Sequence, residues 1–247
     1  MDTNPRRDTE FYFDTITFLV DSIIFKVPSQ YIHDKSEVFG AGAQISAASG
    51  EGSSDANPVK LSPLPHGCNA EDFKRLLRII IALTVDLPTP TNHTLEQWLS
   101  VLKLSTAWCF SDVRNLAMER VSGSPSNFTR DQWITVLDFA HNSDLFIDLR
   151  VLAITRISGF AFSSRVDQVL LGRKYLHKPW VIQGLRELAN VSTLPPLPDL
   201  NRLGQETLIG VLYIACNRAQ RYRGPYNDRE VDEHFRDEIS SLFPLSF

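Results

Sequence analysis

Near the N-terminus two apolar runs, residues 16–20 and 23–27, flank the polar pair Asp21-Ser22 in the stretch ITFLVDSIIFKV. β-Branched and aromatic side chains dominate both runs, which suits a pleated, half-buried surface. Asp-Ser is a usable turn, and Pro28 ends the second run because it has no N–H for a ladder. The pattern predicts a β-hairpin that must lean on something else, since a two-stranded ribbon is marginal in water. Before it, Phe11-Tyr12-Phe13 reads as a short strand; residues 1–10 are polar and read as a flexible N-terminus. After it, residues 30–39 read as one short helix, with Tyr31, Ile32, Val38 and Phe39 as its apolar positions.

Residues 40–57 are rich in Gly, Ala and Ser and have almost no large side chain. So little apolar surface cannot offset the entropy of ordering, so a long flexible loop is expected. Residues 58–61 alternate as a short strand would. A helix is expected from Asn69, a good cap, with Glu71 and Asp72 at the positive end of its dipole. Phe73, Leu76, Leu77, Ile80 and Leu83 share one face of it, and the Pro-rich run 87–92 breaks it.

A repeat follows. Thr94, Gln97 and Trp98 recur as Thr129, Gln132 and Trp133, and Asp112, Arg114, Leu116, Arg120 and Gly123 recur as Asp148, Arg150, Leu152, Arg156 and Gly159. Thr-x-x-Gln is a capping box, in which the hydroxyl accepts one free N–H and the glutamine reaches back for another. Each copy then reads as an apolar-faced helix, a polar turn around Ser111-Asp112 or Ile147-Asp148, and a second helix closed by a left-handed glycine. A more worn third copy spans 166–189, with Pro179-Trp180 at its turn. Thus 124–192 is expected to form helical hairpins, 193–198 a stiff Pro-rich linker, and 199–247 one last helix with a tail. That helix carries Leu200, Leu203, Leu208, Val211, Leu212 and Ala215, and ends in Arg218, Arg221 and Arg223, which complement a helix C-terminus or form a nucleic-acid patch.

Composition narrows the function classes. Of 247 residues 43% are hydrophobic and 22% charged, enough for a core without metal or disulfide staples. A formal charge of −4 lacks the cationic surplus that broad nucleic-acid binding needs. The N-terminus has no apolar run resembling a signal sequence, and residues 208–216, the longest apolar stretch, are half the ~18 that a membrane span needs. The chain reads as intracellular, cytoplasmic or nuclear, with no membrane partner. Cys68, Cys109 and Cys216 are dispersed and odd in number, so they read as reduced thiols rather than a disulfide or zinc framework. Three Asn-x-Ser/Thr triplets, at Asn92, Asn127 and Asn190, are chance matches in such a compartment.

Catalytic grammar is missing. The pair Gly40-x-Gly42 lacks the third glycine and the preceding strand of a dinucleotide site, and no phosphate-loop, zinc-helix or serine-elbow motif occurs. None of the six histidines stands four residues from a cysteine or another histidine, so no shared metal and no cofactor are expected. His141 with Asp144 and Asp148 is the best acid–base candidate, but the favoured reading is a polar residue at the turn of the second hairpin, since a base also needs a nucleophile and a pocket. Trp98 and Trp133 can be partner anchors, but their matched positions just inside two helices favour packing between hairpins.

The ordered set FLVDSIIFKV, Tyr31-Ile32, Ser36-x-Val38-Phe39, Phe73-x-x-Leu76-Leu77 and the helix pair over 102–121 resembles the BTB/POZ domain. Residues 51–61, EGSSDANPVKL, resemble the BTB proteins of mushroom-forming fungi, which also carry additional C-terminal helices. The resemblance implies an α+β fold: a small sheet with helices over 11–123, then an all-α helical-hairpin extension. It implies a non-catalytic protein–protein interaction scaffold that forms a homodimer, with Phe11, Phe13, Tyr31 and Phe39 as dimer-surface candidates. Two alternatives follow from the same family: a substrate adaptor of a cullin-type ubiquitin ligase, and a transcription-associated regulator. Three positions depart from the family pattern. Pro28 replaces the usual His, Thr15 stands where Asp is common, and Gln97-Trp98-Leu99 does not match the hydrophobic-x-acidic signature for cullin.

Overall fold

The hairpin forms as β1 (Thr15–Val20) and β2 (Ile23–Pro28), paired antiparallel from Thr15↔Pro28 to Val20↔Ile23. The computed structural model describes residues 6–10, 12–90, 92–123, 128–141, 143–220 and 226–243, and only the backbone of 44–49 and 219–220. The fold is α+β, a small sheet with helices followed by an all-helical region. It divides into two compact units, Met1–Ile157 and Ser158–Phe247. The first unit holds residues 11–123, to which the resemblance assigns a domain, and the second repeat as far as Ile157.

β3 (Val59–Lys60), the strand expected over 58–61, pairs parallel to β1 on its other side, giving the order β2-β1-β3. The hairpin leans on α3 (Ala70–Thr84). Cross-strand partners Phe18 and Phe25 meet the ring of Phe73 edge-on, at 5.6 and 5.1 Å. Asp21 completes the docking. It adopts a left-handed φ of 53°, and its carboxylate accepts the N–H of Ala70 at 2.9 Å, in the first turn of α3. Asn69 and Asp72 form their own capping box there, and Phe73, Leu76, Leu77 and Ile80 are buried. The hairpin turn thus serves as a helix cap, so β-ribbon and helix fix each other's position.

Several expectations are corrected between residues 11 and 57. Tyr12 and Phe13 lie outside any strand, and Phe11 lies outside the described residues. The single helix over 30–39 is two: α1 (Gln30–His33) and α2 (Glu37–Ser49). Ser36 separates them in extended conformation. Its hydroxyl accepts the N–H of Phe39 and donates to the carbonyl of Trp108. The loop expected over 40–57 is helical to Ser49, because alanine is the best helix former and Gly50, at φ 68°, supplies a left-handed C-cap. Beyond it, Thr17 N–H donates to Gly52 O at 2.8 Å and ties the segment to the sheet, while the Asn57 side-chain amide donates to Gly50 O at 2.9 Å and closes residues 50–57 on themselves. Hydrogen bonds to backbone carbonyls supply the order that apolar burial could not.

The two clean repeats are helical hairpins, α4 (Leu95–Ala107) with α5 (Ser111–Gly123), and α6 (Arg130–Ala140) with α7 (Ile147–Ser158). Thr94 and Thr129 each make the full capping box with Gln97 and Gln132. The residue before each cap packs on the tryptophan four positions into the helix: His93 on Trp98 at 5.1 Å and Phe128 on Trp133 at 5.4 Å. That is a hydrophobic staple, and it explains why both tryptophans are core residues, buried to 5% and 0% exposure. Gly123 does not take the left-handed form expected of it; it is the last residue of α5, while in the α4–α5 turn Cys109 has a φ of 55°.

In the second unit, α8 (Arg165–Lys174) and α9 (Lys178–Asn190) form the third hairpin, with Pro179-Trp180 in the first turn of α9 rather than at the bend. Gly172 and Gly184 let these helices touch. A Cβ on Gly172 would stand 2.7 Å from Val181 Cγ2, and one on Gly184 2.6 Å from Val169 Cγ2. The linker expected over 193–198 is corrected. α10 (Leu197–Asn201) begins within it and Leu194 packs on the core, because a proline at the first helical positions suits a helix start. The last helix is also corrected: Gly204, at φ 89°, separates α10 from α11 (Gln205–Gln220), and α12 (Asp228–His234) and α13 (Arg236–Leu242) follow.

Candidate interaction surface

The four dimer-surface candidates fall into three situations. Phe13 is 47% exposed just before β1, beside Tyr12 at 51%. Tyr31 is half-buried in α1, at the same end of the sheet. The link between them is Ser29, whose N–H and hydroxyl both donate to Asp14 O, at 2.8 and 3.1 Å. Phe39 belongs elsewhere. Its ring sits among Phe18, Trp108 and Phe110 at 5.4–5.8 Å inside the first unit, so it is largely occupied by its own chain. Phe11 lies outside the described residues.

Tyr12 is a further open aromatic of FYF: a strand would turn Tyr12 and Phe13 to opposite faces, whereas both are open here. The guanidinium of Arg7 stands 4.5 Å above its ring, a contact that covers one ring face with a cation. Ile23 and Ile24 are each 46% exposed at the opposite end of the hairpin, on the edge strand β2. Lys26 on that strand is exposed, and a charge there discourages edge-to-edge pairing.

A second feature of the first unit is an open groove of about 710 Å³ between α4 and α6, closed at one end by a 3-10 turn over Asp144–Phe146. Leu99, Phe139 and Phe146 line it, with Glu96, Lys103 and Asp138 among them. Leu99 is the last residue of Gln97-Trp98-Leu99, where the cullin signature is expected, so the groove touches that position.

The acid–base candidates stand at the end of α6 and the turn that follows it. His141 ends α6 half-buried, while Asp144 and Asp148 are exposed beyond it. Among the described residues no group of three His, Cys, Asp or Glu side chains is arranged to hold a metal ion. Burial and the neighbouring Asp72 raise the Cys68 thiol to about 11, so it stays protonated at neutral pH; Cys109 and Cys216 are exposed free thiols. Arg218 donates to the carbonyls of Ala189 and Val191, capping the end of α9, while Arg221 and Arg223 lie outside the described residues. No described helix is long and apolar enough to cross a membrane.

No family model matches the chain, and no curated protein matches it.

Proposed function

We propose that the chain is a non-catalytic interaction scaffold of the BTB/POZ type that self-associates through the aromatic rim of its first unit. The observation that carries this reading is the rim itself: Tyr12 and Phe13 stand about half open to solvent, on backbone tied to the start of α1 through Asp14 and Ser29. The element order supports it as well: hairpin, α1–α2, β3, capped α3, then the α4–α5 pair, as the resemblance requires. Fully burying a phenylalanine side chain is worth about 2 kcal/mol, and the half-open Phe13 and Tyr12, with Tyr31 beside them, have about half of that each left to contribute from either copy toward the cost of association. Light scattering on a size-exclusion column tests it. A species of twice 27.9 kDa is expected at micromolar concentration, reverting to monomer in Phe13→Asp. A monomer at high micromolar concentration removes self-association.

A second reading, substrate adaptor for a cullin-type ligase, is favoured by the groove between α4 and α6, whose apolar floor and charged margin of Glu96, Lys103 and Asp138 suit a peptide segment with apolar and charged residues. Purified cullin is the probe; Leu99→Asp is expected to lower its retention, and equal retention by both chains dismisses this reading.

A further inference from the structure

We propose that the groove between α9 and α11 is a receptor for an acidic amphipathic helix, which α12–α13 occupy within the chain and a helical segment of a partner protein occupies in their place. This surface lies in the second unit and is independent of the rim that carries self-association.

The occupant shows what the groove recognises. Val231, Phe235, Ile239 and Phe243 recur every four residues and face the core of α8, α9 and α11; Val231 and Phe235 are buried to 1% and 4% exposure. The receptor is shaped for Phe235. Gly210 of α11 has no side chain, and a Cβ there would stand 2.8 Å from the Phe235 ring and 3.2 Å from His234 Nε2. His234 in turn stacks flat on Tyr213 of α11, with centroids 5.4 Å apart.

Charge fixes the register on either side of that ring. Arg186 of α9 binds both Asp228 and Asp232. Arg173 of α8 holds Glu238, and Thr207 of α11 donates to the same carboxylate at 2.7 Å. The receptor is therefore a glycine notch between two arginines. Its ligand carries a phenylalanine with carboxylates three and seven residues before it and three residues after it. This is the helix-in-groove mode of recognition, here filled in cis.

The occupant is held by docking rather than by its own helicity. α12 and α13 have seven residues each, well under the roughly 12–15 at which an isolated helix holds in water, and α13 buries no residue fully. α13, with no fully buried residue, is the end from which opening starts, while Val231 and Phe235 anchor α12 in the core. While the occupant is docked, the apparent affinity for a partner is reduced by the fraction of time the groove is closed.

The probe is a fluorescein-labelled peptide of residues 226–243, titrated by anisotropy into full-length chains. Against Phe235→Ala, in which the cis segment loses its anchor, binding at least about tenfold tighter than to wild type is expected. Adding Arg173→Ala and Arg186→Ala to that chain is expected to abolish the gain, as is Gly210→Ala. Circular dichroism monitors folding. If Phe235→Ala does not fold, the double variant Asp232→Asn with Glu238→Gln releases the clamps instead, and the same gain is read there. A folded released chain that binds the peptide no better than wild type overturns the proposal, as does a gain that survives removal of both arginines.

Discussion

In the first unit, aromatic rings join the elements. Phe18 and Phe25 of the sheet meet Phe73 of α3; Phe39 of α2 meets Phe18, Trp108 and Phe110; Phe73 also meets Trp108 edge-on at 5.8 Å. In the second unit, arginine–carboxylate pairs join them: Arg165 with Glu187, Arg173 with Glu238, Arg186 with Asp228 and Asp232, Arg202 with Asp167. Both units pack short helices, but their cohesion responds to different conditions. Ring contacts add about 0.5–1.5 kcal/mol per pair beyond burial and hardly notice salt. Ion pairs weaken as salt is raised, the exposed ones such as Arg186–Asp228 more than the part-buried Arg173–Glu238, and an exposed pair adds only about 0–1 kcal/mol. The difference suits the two roles proposed: a rigid platform behind the self-association rim, and a helix pair that can leave its groove.

The sharpest way to break the comparison is to remove a ring. Phe18 is fully buried and touches Phe39 and Phe73, so Phe18→Ala is expected to cost about 3–5 kcal/mol. Denaturant unfolding followed by tryptophan fluorescence measures it. A loss under 1 kcal/mol would mean that the cluster relaxes around the void and does not anchor the sheet.

Next in size is the pair of arginine clamps. Arg173 and Glu238 are each only about one-fifth exposed, so Glu238→Gln removes a charge-assisted bond worth about 1.5–3 kcal/mol. Hydrogen exchange of α12 and α13 is the measurement. Protection there is expected to fall in the variant, and also in the wild type when salt is raised, while α3 protection is unchanged by salt. Equal salt sensitivity of the two units would erase the contrast drawn between them.

A smaller effect probes the close approach of α8 and α9. Alanine at 172 gains about 1 kcal/mol of helix propensity over glycine, but its Cβ would stand 2.8 Å from the Val181 backbone nitrogen, and overpacking costs about 1–3 kcal/mol. Clash with backbone decides the sign, so Gly172→Ala is expected to be destabilising by about 1 kcal/mol, read as a lower denaturation midpoint. A rise in the midpoint would show that the helices can separate freely.

The elements that local grammar specifies were readable in the sequence. Thr-x-x-Gln specified two helix starts, Asn69 a third, and the alternation around Asp21 a hairpin, because each acts within a few residues. What was not readable depends on partners distant in the chain. Residues 40–57 lack side chains for a core, and their order comes from α2 and from Gly52 bonding to Thr17. The Pro-rich stretch 193–198 looked like a spacer because its docking residue, Leu194, meets helices many residues away. The candidate surface was half readable: FYF marks aromatic content, but only the structure separates Phe13, left open, from Phe39, taken up by the rings of Phe18, Trp108 and Phe110.

The smallest effect separates the two clean repeats themselves. Their staples differ in one respect: His93 packs on Trp98 where Phe128 packs on Trp133. Burial, Arg75 and Arg78 hold the His93 imidazole below its ordinary value, and its Nε2 is buried without a hydrogen-bond partner among the described residues. The folded chain therefore binds the proton less readily than the unfolded chain does. Stability contributed by neutral His93 is complete above the ordinary value near 6.5 and is lost as pH falls below it, toward the depressed value. Only the first staple carries this liability, since a phenylalanine does not titrate. His93→Phe is expected to flatten the fall in thermal midpoint between pH 7 and pH 5 without lowering the midpoint at pH 7. The converse variant, Phe128→His, is expected to steepen it. If His93→Phe leaves the acid slope unchanged, the imidazole is not what distinguishes the two staples.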